Sequence, residues 1–167
     1  MEARRIALTD GVVVLDRFRA EDEAAHLAGE DEEQARRFGW WPKRSGPAQF
    51  RRMLVDGEAA WQDGGPRLKL AARVDGTLVG GCELRLTASG PARVSYWTFP
   101  EHRHRGYASR SLRLLAEWPI GELGVKQLEA HIEPDNLASL GAARRAGFRP
   151  ARRRMNSDGL LVLELAP

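Results

Sequence analysis

The sequence predicts one α/β domain, in which about seven strands are interspersed with helices along the chain. Its 167 residues suffice for one domain with a core and are too few for two, so the domain is expected to span residues 1–167. Hydrophobic residues make up 43% of the chain and charged residues 29%, which is typical of a globular protein. The segments follow the order β α α β β β α β α β β, with no internal repeat and no linker.

The first half starts with a strand over 12–17 and a helix that begins near Ala20, where acidic residues in the first turn favour a helix start. Segment 38–42 is expected to be a loop, and its two adjacent tryptophans belong either to the core or to the roof of a substrate pocket. A second helix is predicted from about Pro47 to Trp61, because its apolar residues recur at helical spacing and a Gly-Gly-Pro break follows.

Three strands are predicted to follow as an antiparallel meander. The strands over 68–74 and 77–86 are joined at Asp75-Gly76, a dipeptide that favours a tight hairpin because glycine tolerates positive φ. A second turn at 89–91 leads into the third strand, over 93–99.

The remaining predicted elements are a helix from Ser109, a strand over 127–133, a helix over 137–146, and a strand pair over 151–155 and 160–165. Pro119 falls where the first of these helices would continue, and it should kink or end that helix. Gly147 is placed to end the second helix in the left-handed conformation, with Phe148 folding back onto the preceding turn.

The composition argues against several classes of protein. No run of about 18 apolar residues occurs and the N-terminus lacks a signal-peptide pattern, so no membrane association is predicted and the expected location is the cytoplasm. Cys82 is the single cysteine, cannot form an internal disulfide, and is expected to be a buried thiol. No zinc-ligand spacing is present, so no metal is predicted.

The net charge of +3 is unevenly spread, with acidic residues crowded near the start and arginines in the second half. A basic half could bind nucleic acid, but the interleaved aromatics of an RNA-binding surface are missing. A phosphate-rich small molecule explains the same arginines more economically, and the acidic start could attract a cationic substrate. RNA binding through the arginines of 144–154 stays as an alternative, which would show an affinity that falls steeply with salt.

The most informative segment is the basic loop 103–108, of sequence Arg-His-Arg-Gly-Tyr-Ala, which separates the strand over 93–99 from the following helix. A strand that turns through such a loop into a helix leaves backbone N–H groups pointing outward at the positive end of the helix dipole. Gly106 permits close approach because it has no side chain. The loop therefore predicts a binding site for phosphate.

The pattern Arg-x-x-Gly-x-Ala at 103–108 resembles the pyrophosphate-binding loop of the GNAT superfamily of N-acetyltransferases. Asn-x-x-Ser at 136–139 and Gly-Phe at 147–148 resemble the next signature segment of that superfamily, in the right order and with a strand between. The resemblance implies a GNAT-like fold, in which a mixed, strongly curved and splayed sheet of about seven strands carries helices on both faces.

A narrower resemblance concerns the amino-acid sequence around these motifs. Tyr-Trp at 96–97, Pro-Glu-x-Arg at 100–103 and Glu-Pro-Asp-Asn at 133–136 are similar to the branch whose members acetylate the N-termini of ribosomal proteins. Many members of that branch act on other acceptors, so the branch constrains the mechanism more than the substrate.

The resemblance implies that acetyl-CoA is the cosubstrate. The strand edge at 96–99 would pair with its amide-containing arm, with an N–H near Trp97 or Thr98 facing the thioester oxygen. Asn136 is either the N-cap of the helix at 137–146 or a ligand of the arm. The residues implied in binding are Tyr96, Trp97, Thr98, Phe99, Arg103, His104, Arg105, Gly106, Tyr107, Ala108, Ser109, Asn136 and Ser139.

For the departing thiolate, the resemblance implies Ser139 as the proton donor, although a serine in a first helical turn is commonly a capping or solvent residue. The tyrosine that many members carry seven residues after the asparagine is Ala143 here, so Ser139 or water has to fill its role.

For the amine, Glu129 and His131 are candidate bases on the polar face of the strand over 127–133, and Glu83 is a third. The polar face could instead meet solvent, Glu83 could form a cross-strand ion pair with an arginine, and bulk water could take the proton. Glu129 ranks first because it matches a glutamate used in related enzymes.

The predicted function is transfer of an acetyl group from acetyl-CoA to a primary amine, on a protein N-terminus or a small molecule, by direct attack in a ternary complex. The implied partners are acetyl-CoA and the amine acceptor, with no nucleic acid and no membrane, and a homodimer is left open. The alternative is a non-catalytic CoA-binding or regulatory protein, for which Ala143 is the only support.

Overall fold

The computed structural model describes residues 6–167, so the first five residues of the predicted domain lie outside the described residues. The strands are β1 (Ala7–Thr9), β2 (Val13–Asp16), β3 (Arg67–Val74), β4 (Thr77–Arg85), β5 (Ala92–Thr98), β6 (Leu128–Ile132), β7 (Arg149–Met155) and β8 (Leu161–Leu165). The helices are α1 (Glu23–Gly29), α2 (Glu32–Arg37), α3 (Pro47–Asp63), α4 (Tyr107–Glu122) and α5 (Leu137–Arg145), with short 3-10 turns at Ala20–Asp22 and Pro100–His102.

The strands form one mixed sheet in the order β1-β2-β3-β4-β5-β6-β8-β7, in which only β5 and β6 are paired in parallel. The predicted meander of β3, β4 and β5 is confirmed as antiparallel. Its first hairpin turns at Asp75 and Gly76, whose φ angles are 48° and 76°, as the two central positions of a tight turn require.

Two elements were missed by the sequence prediction. Strand β1 has three residues, and it pairs with β2 across a turn in which Asp10 Oδ1 accepts hydrogen bonds from the N–H groups of Val12 and Val13. Helix α2 begins after Asp31, whose side chain caps it by accepting from Gln34 N at 3.0 Å. Both elements are shorter than the window over which a periodic pattern can be read.

Pro119 does not end its helix, because α4 is assigned as helix through to Glu122. The predicted kink stays a prediction. Pro119 is buried, and its carbonyl oxygen accepts from the N–H groups of Leu123 and Val125 in the last turn. Only one turn follows the proline, so the bond that it removes lies where helix ends fray in any case.

Helices cover both faces of the sheet, as predicted. Leu70 packs with Leu112 of α4 and Leu140 of α5 in the main core. Its neighbour Ala71 points to the opposite face, where it packs with Phe99 in a smaller core. Cys82 is fully buried as expected, and burial raises the pKa of its thiol.

The sheet is splayed between its parallel strands. Strands β5 and β6 pair only from Ala92 opposite Leu128 to Val94 opposite Ala130. Beyond that point β5 continues to Thr98 and β6 to Ile132 without pairing to each other. The inner edges of both strands are thereby open where each strand ends. Among the helices of residues 6–167, none is both long and apolar enough to cross a membrane.

Candidate active site

The open border between β5 and β6 forms a cleft of about 690 Å³, called here the β5/β6 cleft. Its walls come from the C-terminal half of β5, the loop before α4, the end of β6 and the first turns of α5. The predicted site residues that line it are Tyr96, Trp97, Thr98, Arg103, His104, Gly106, Tyr107, Ala108, Ser109, His131, Asn136 and Ser139.

The loop before α4 presents free main-chain N–H groups to the cleft. Gly106 is the N-cap of α4 with φ 79°, and His104 also has a positive φ, 62°. Within the described part of the chain, the N–H groups of residues 104–109 have no hydrogen-bond partner, whereas Arg103 N donates to Pro100 O at 3.3 Å. Successive N–H groups around left-handed residues form an anion-binding concavity. This backbone, at a helix N-terminus, can hold a phosphate.

The side chain of Arg103 differs from the expectation that it binds phosphate. Its guanidinium forms two hydrogen bonds with Asp31, at 2.8 and 3.0 Å, and Nε donates to Thr98 O at 3.0 Å. A further contact reaches Glu33 at 3.1 Å. Burial opposes ionisation of Asp31, but the hydrogen bond from Arg103 outweighs it and the pKa of Asp31 is lowered. Arg103 therefore fastens α2 to the loop.

Two other predicted binding residues lie outside the cleft. Phe99 is 4% exposed and packs in the smaller core, because its N–H pairs with Val79 O and turns the side chain inward. Arg105 is exposed, and its side chain does not line the cleft. Ser109 lines it, but its hydroxyl donates to Gly106 O at 2.9 Å and so supports the turn.

Asn136 is the N-cap of α5, one of the two roles left open by the sequence. Its Oδ1 accepts from Ser139 N at 3.2 Å. Its side-chain NH₂ group has no hydrogen-bond partner among residues 6–167 and lies at the wall of the cleft, so the cap does not exclude a ligand contact.

Ser139 is paired with a tyrosine that comes from a different element than the sequence suggested. Tyr96 Oη lies 2.7 Å from Ser139 Oγ and donates to Ser139 O at 2.8 Å. Burial raises the pKa of Tyr96 to about 12, so its hydroxyl keeps its proton at neutral pH. Ala143 is fully buried in α5. A tyrosine hydroxyl is thus present beside Ser139, supplied by β5 rather than by α5.

The candidate bases of β6 form a pair of which one member reaches the cleft. His131 lines it, with Nε2 2.8 Å from Glu129 Oε2 and Nδ1 3.2 Å from Asn156 Nδ2. The amide of Asn156 donates to Nδ1, so the ring proton lies on Nε2 and faces Glu129. Glu129 does not line the cleft. Any contact of Glu129 with a ligand there would pass through His131.

Glu83 is engaged in the cross-strand ion pair that was the alternative to its role as a base. Its carboxylate accepts from Arg67 at 3.0 and 3.2 Å and from Arg85 at 3.1 Å. Lys69 Nζ lies 3.9 Å away. Glu83 is 4% exposed, and it lies away from the β5/β6 cleft.

A second pocket of about 350 Å³ adjoins the cleft on the face that carries α1, and sequence reasoning did not find it. Both cavities are lined by Gln34, Phe38, Ser95 and Trp97. Glu83 lies in the wall of the second pocket, as does Trp40. Trp41 is exposed at the surface, where Arg36 lies 4.8 Å from its ring centre. Of the two roles left open, core or pocket, Trp40 therefore takes the pocket and Trp41 takes neither. The cleft and the second pocket can hold two ligands side by side.

The acidic residues near the start of the chain are largely used in ion pairs, contrary to the idea that they attract a cationic substrate. Asp22 pairs with Arg73, Glu32 with Arg36, and Glu23 with Arg51; Asp31 and Glu33 pair with Arg103. Their negative charge is mostly neutralised within the fold.

Comparison with known proteins identifies this architecture. A family model described as an acetyltransferase (GNAT) domain matches residues 13–149. The structure is similar to that of Mycobacterium smegmatis RimJ in complex with CoA-disulfide, with a TM-score of 0.76 and 21% identity over 97% of this chain and 86% of that chain. No curated protein matches the sequence.

Two further solved structures extend the comparison. A proposed ribosomal-protein-serine acetyltransferase from Vibrio cholerae has a TM-score of 0.72 and 18% identity, over 97% of this chain and 98% of that chain. AAC(6')-Ib in complex with paromomycin and acetyl-CoA has a TM-score of 0.71 and 14% identity, over 93% of each chain. At these identities the solved structures show a shared fold. The names of the M. smegmatis and V. cholerae proteins agree with the branch that the sequence resembles.

The family match runs from β2 to the start of β7, and it therefore includes the loop before α4, the open border of the sheet and the Tyr96–Ser139 pair. The expectations of a GNAT fold and of an acetyltransferase are confirmed by that match. This chain belongs to the GNAT family of acetyltransferases.

Proposed function

We propose that this protein transfers the acetyl group of acetyl-CoA to a primary amine by direct attack within a ternary complex, in the cytoplasm, where both substrates occur. The observation that carries the proposal is the row of unpaired main-chain N–H groups over residues 104–109, at the mouth of a sheet that is open between β5 and β6. These features offer a binding site for pyrophosphate next to a free strand edge. The N–H groups of residues 104–109 are called here the phosphate seat.

The residues of the β5/β6 cleft fit the two chemical parts of acetyl-CoA. The loop before α4 supplies N–H groups for the pyrophosphate, and it needs no arginine side chain to do so. The unpaired edge of β5 over 95–98 offers backbone groups to the amides of the extended arm. An N–H at Trp97 or Thr98 would stabilise the thioester oxygen as it gains negative charge.

In the reaction, the neutral amine forms a bond from nitrogen to the acetyl carbon, and the carbon–sulfur bond breaks. The departing thiolate takes a proton, for which Ser139 is the donor. Tyr96 replaces that proton when its O–H turns from Ser139 O to Ser139 Oγ, and solvent then reprotonates Tyr96. The amine gives up a proton to water, or to Nδ1 of His131 once Asn156 releases that atom, since the proton on Nε2 faces Glu129. Glu83 is a weaker candidate for this role, because two arginines already share its carboxylate.

The test is release of CoA thiol from acetyl-CoA as a function of added amine. Gly106→Asp places a carboxylate in the phosphate seat, and we expect the KM for acetyl-CoA to rise by about tenfold or more. Gly76→Asp is the matched control, since Gly76 also has a positive φ and open space for a Cβ, and lies in the β3–β4 turn. Equal effects of the two variants would contradict the assignment of the seat.

The same measurement distinguishes the proposed enzyme from the alternative, a non-catalytic CoA-binding or regulatory protein. It predicts saturable CoA binding with no amine-dependent thiol release across free amino acids, N-terminal peptides and aminoglycosides. RNA binding through the arginines of 144–154 would give an affinity that falls with salt and that CoA does not displace.

A further inference from the structure

The second pocket collects the unpaired buried polar atoms of the fold. Within residues 6–167, the buried side-chain atoms without a hydrogen-bond partner are His26 Nδ1, Glu30 Oε1, Gln34 Oε1, Trp40 Nε1 and Trp97 Nε1. All of these side chains line the second pocket. Leaving such a group unpaired costs about 1–3 kcal/mol. Their concentration in one cavity indicates a ligand with matching polar groups.

One wall of the second pocket carries excess positive charge. Arg67, Lys69 and Arg85 surround the single carboxylate of Glu83, which leaves two positive charges uncompensated in this cluster. Arg67 lies directly opposite Arg85 in the sheet, an arrangement of like charges that disfavours strand pairing. An anionic group bound at this wall would relieve that repulsion.

A second part of the lining of this pocket, called here the acceptor wall, carries hydrogen-bond acceptors. Glu30 Oε2 accepts from Ser45 N at 3.2 Å, while its Oε1 lies 3.4 Å from His26 Nε2 without forming a hydrogen bond. Burial opposes ionisation of Glu30, but its interactions with His26 and Ser45 outweigh it, so its pKa is lowered and it is a carboxylate at neutral pH. With the carbonyl oxygen of Gln34 beside it, this wall suits the N–H groups of an amine or ammonium.

The acceptor wall lies next to the β5/β6 cleft, where an amine would have to reach the thioester. Gln34 and Trp97 line both the second pocket and the β5/β6 cleft. An amine held between Glu30 and Gln34 therefore lies on the side of the second pocket that meets the cleft. The cationic wall is formed by β4 and β3. In the sheet, β4 lies one strand and β3 two strands further from the cleft than β5.

We infer that the second pocket binds the acceptor, and that this acceptor is a primary amine that carries a carboxylate a short distance from its nitrogen. The inference rests on the proposed function, since it names the substrate class of that reaction. The amine lies at Glu30 and Gln34, and the carboxylate lies at Lys69 and Arg85. A cavity of about 350 Å³ takes an amino acid or the first two residues of a peptide. The same chemistry is offered by a free amino acid and by a peptide with an acidic second residue.

The test compares acceptors that differ in the charge of one group, with kcat/KM expressed per neutral amine because the carboxylate of L-alanine also raises the pKa of its own amine. The probes are L-alanine against L-alaninamide, and the dipeptide amides Ala-Glu against Ala-Gln. We expect kcat/KM for the charged member of at least one pair to exceed that of its neutral partner by about tenfold or more, because a charge-assisted contact is lost in the amide. The pair that discriminates identifies the source, free amino acid or peptide. Equal kcat/KM within both pairs would overturn the inference and leave the acetyltransferase proposal intact.

Variants locate the discrimination in the second pocket. Lys69→Met removes the cation that lies farthest from Glu83, so both arginines still hold that carboxylate, and we expect it to reduce the preference for the charged acceptor by about tenfold. Lys126→Met is the control, since Lys126 is exposed and lines neither cavity. A preference that Lys69→Met leaves unchanged would contradict the assigned wall.

A binding measurement separates this inference from the proposed reaction. Calorimetric titration of Ala-Glu amide and Ala-Gln amide into the protein saturated with CoA needs no turnover. If no amine is acetylated but the acidic dipeptide binds selectively, the reaction is wrong and the pocket assignment stands. If amines are acetylated and neither dipeptide nor amino acid shows charge selectivity in binding or turnover, the pocket assignment is wrong and the reaction stands.

Discussion

Tyr96 Oη and Ser139 Oγ lie 2.7 Å apart, which joins β5 to α5 across the β5/β6 cleft. Two residues that are 43 positions apart in the chain thus form one hydroxyl pair. We propose that this pair fills the role for which the family resemblance implies a tyrosine at the position of Ala143. Ser139 would give the proton and regain one from Tyr96 after the Tyr96 O–H turns away from Ser139 O.

We expect Tyr96→Phe and Ser139→Ala each to lower kcat by about 10²-fold, with little change in the KM for acetyl-CoA, because each variant interrupts the same proton path. The double variant should lose little more than either single variant. Steady-state kinetics of the three proteins check this. Additive losses, or a Tyr96→Phe protein with full kcat, would show that Tyr96 only supports the fold.

The second prediction concerns Gly81, which lies opposite Trp97 in the sheet. A Cβ at Gly81 would overlap Trp97 Cζ2 and lie 2.9 Å from Phe18 Cζ. We expect Gly81→Ala to displace the indole from the second pocket, to raise the KM for the amine, and to cost about 1–3 kcal/mol of stability through overpacking. Amine saturation curves and urea unfolding measure the two effects.

Gly57→Ala is the matched control for this change. Gly57 lies in α3, and a Cβ there meets no atom within 4 Å. The alanine should stabilise the helix by about 0.5–1 kcal/mol and leave the KM for the amine unchanged. A Gly81→Ala protein that behaves like Gly57→Ala would mean that Trp97 is free to move without consequence.

The third prediction concerns the contact of Arg103 with Asp31. Arg103→Met should lower the free energy of unfolding by about 1–3 kcal/mol, because it removes charge-assisted hydrogen bonds at a half-buried site. Combined with Asp31→Asn, the losses should be less than additive, as for residues in contact. A double-mutant cycle by urea unfolding checks the coupling. A coupling energy of zero would leave Arg103 available for phosphate.

The fourth prediction is a pH dependence set by the buried pair of Arg73 and Asp22, whose atoms approach to 2.7 Å. Burial opposes ionisation of Asp22, but hydrogen bonds from Arg73 and the N–H of Arg19 outweigh it, so its pKa lies below the ordinary 3.8. A lowered carboxyl pKa contributes stability that is fully present above the unfolded-state pKa and is lost as the pH falls through the folded-state value.

Arg73→Met should therefore destabilise the protein by about 3 kcal/mol or more at pH 7, because it leaves buried carboxylates unpaired. The difference from the parent protein should shrink as the pH falls below 3.8 and through the lower pKa that Asp22 has in the folded parent protein, below which Asp22 binds a proton in either protein. Urea unfolding at a series of pH values measures this. A difference that stays constant down to pH 2 would show that packing of the Arg73 side chain, not its charge, is what the variant removes.

The sequence predicted the backbone shape of the loop before α4 because that shape has a local cause, whereas its use as a phosphate site stays a prediction. A strand, a basic loop with Gly106 and a helix start are read along contiguous residues, and the free N–H groups follow from backbone geometry alone. The meander of β3, β4 and β5 was predicted for a similar reason, since Asp75-Gly76 determines the position of its first turn. By contrast, α2 was missed because six residues give too little periodicity, although its cap Asp31 and the acids after it were available signals.

The parts that could not be predicted depend on contacts between distant segments. The sequence suggested that the side chain of Arg103 binds phosphate. Nothing in the neighbouring sequence shows that its guanidinium is instead hydrogen-bonded to Asp31, 72 positions earlier. The second pocket arises from the register of β3, β4 and β5 under α1 and α2. Residue type alone does not show that Glu83 meets two arginines there.

The contact of Arg103 with Asp31 connects the two cavities. Asp31 also accepts from Gln34 N at 3.0 Å, and the side chain of Gln34 is in the wall where the amine is proposed to enter. The loop that carries the free N–H groups is therefore joined by one ion pair to the helix that carries Gln34. If acetyl-CoA orders this loop, we expect the acceptor wall to become ordered with it, which initial-rate kinetics would register as a preferred sequence of substrate addition.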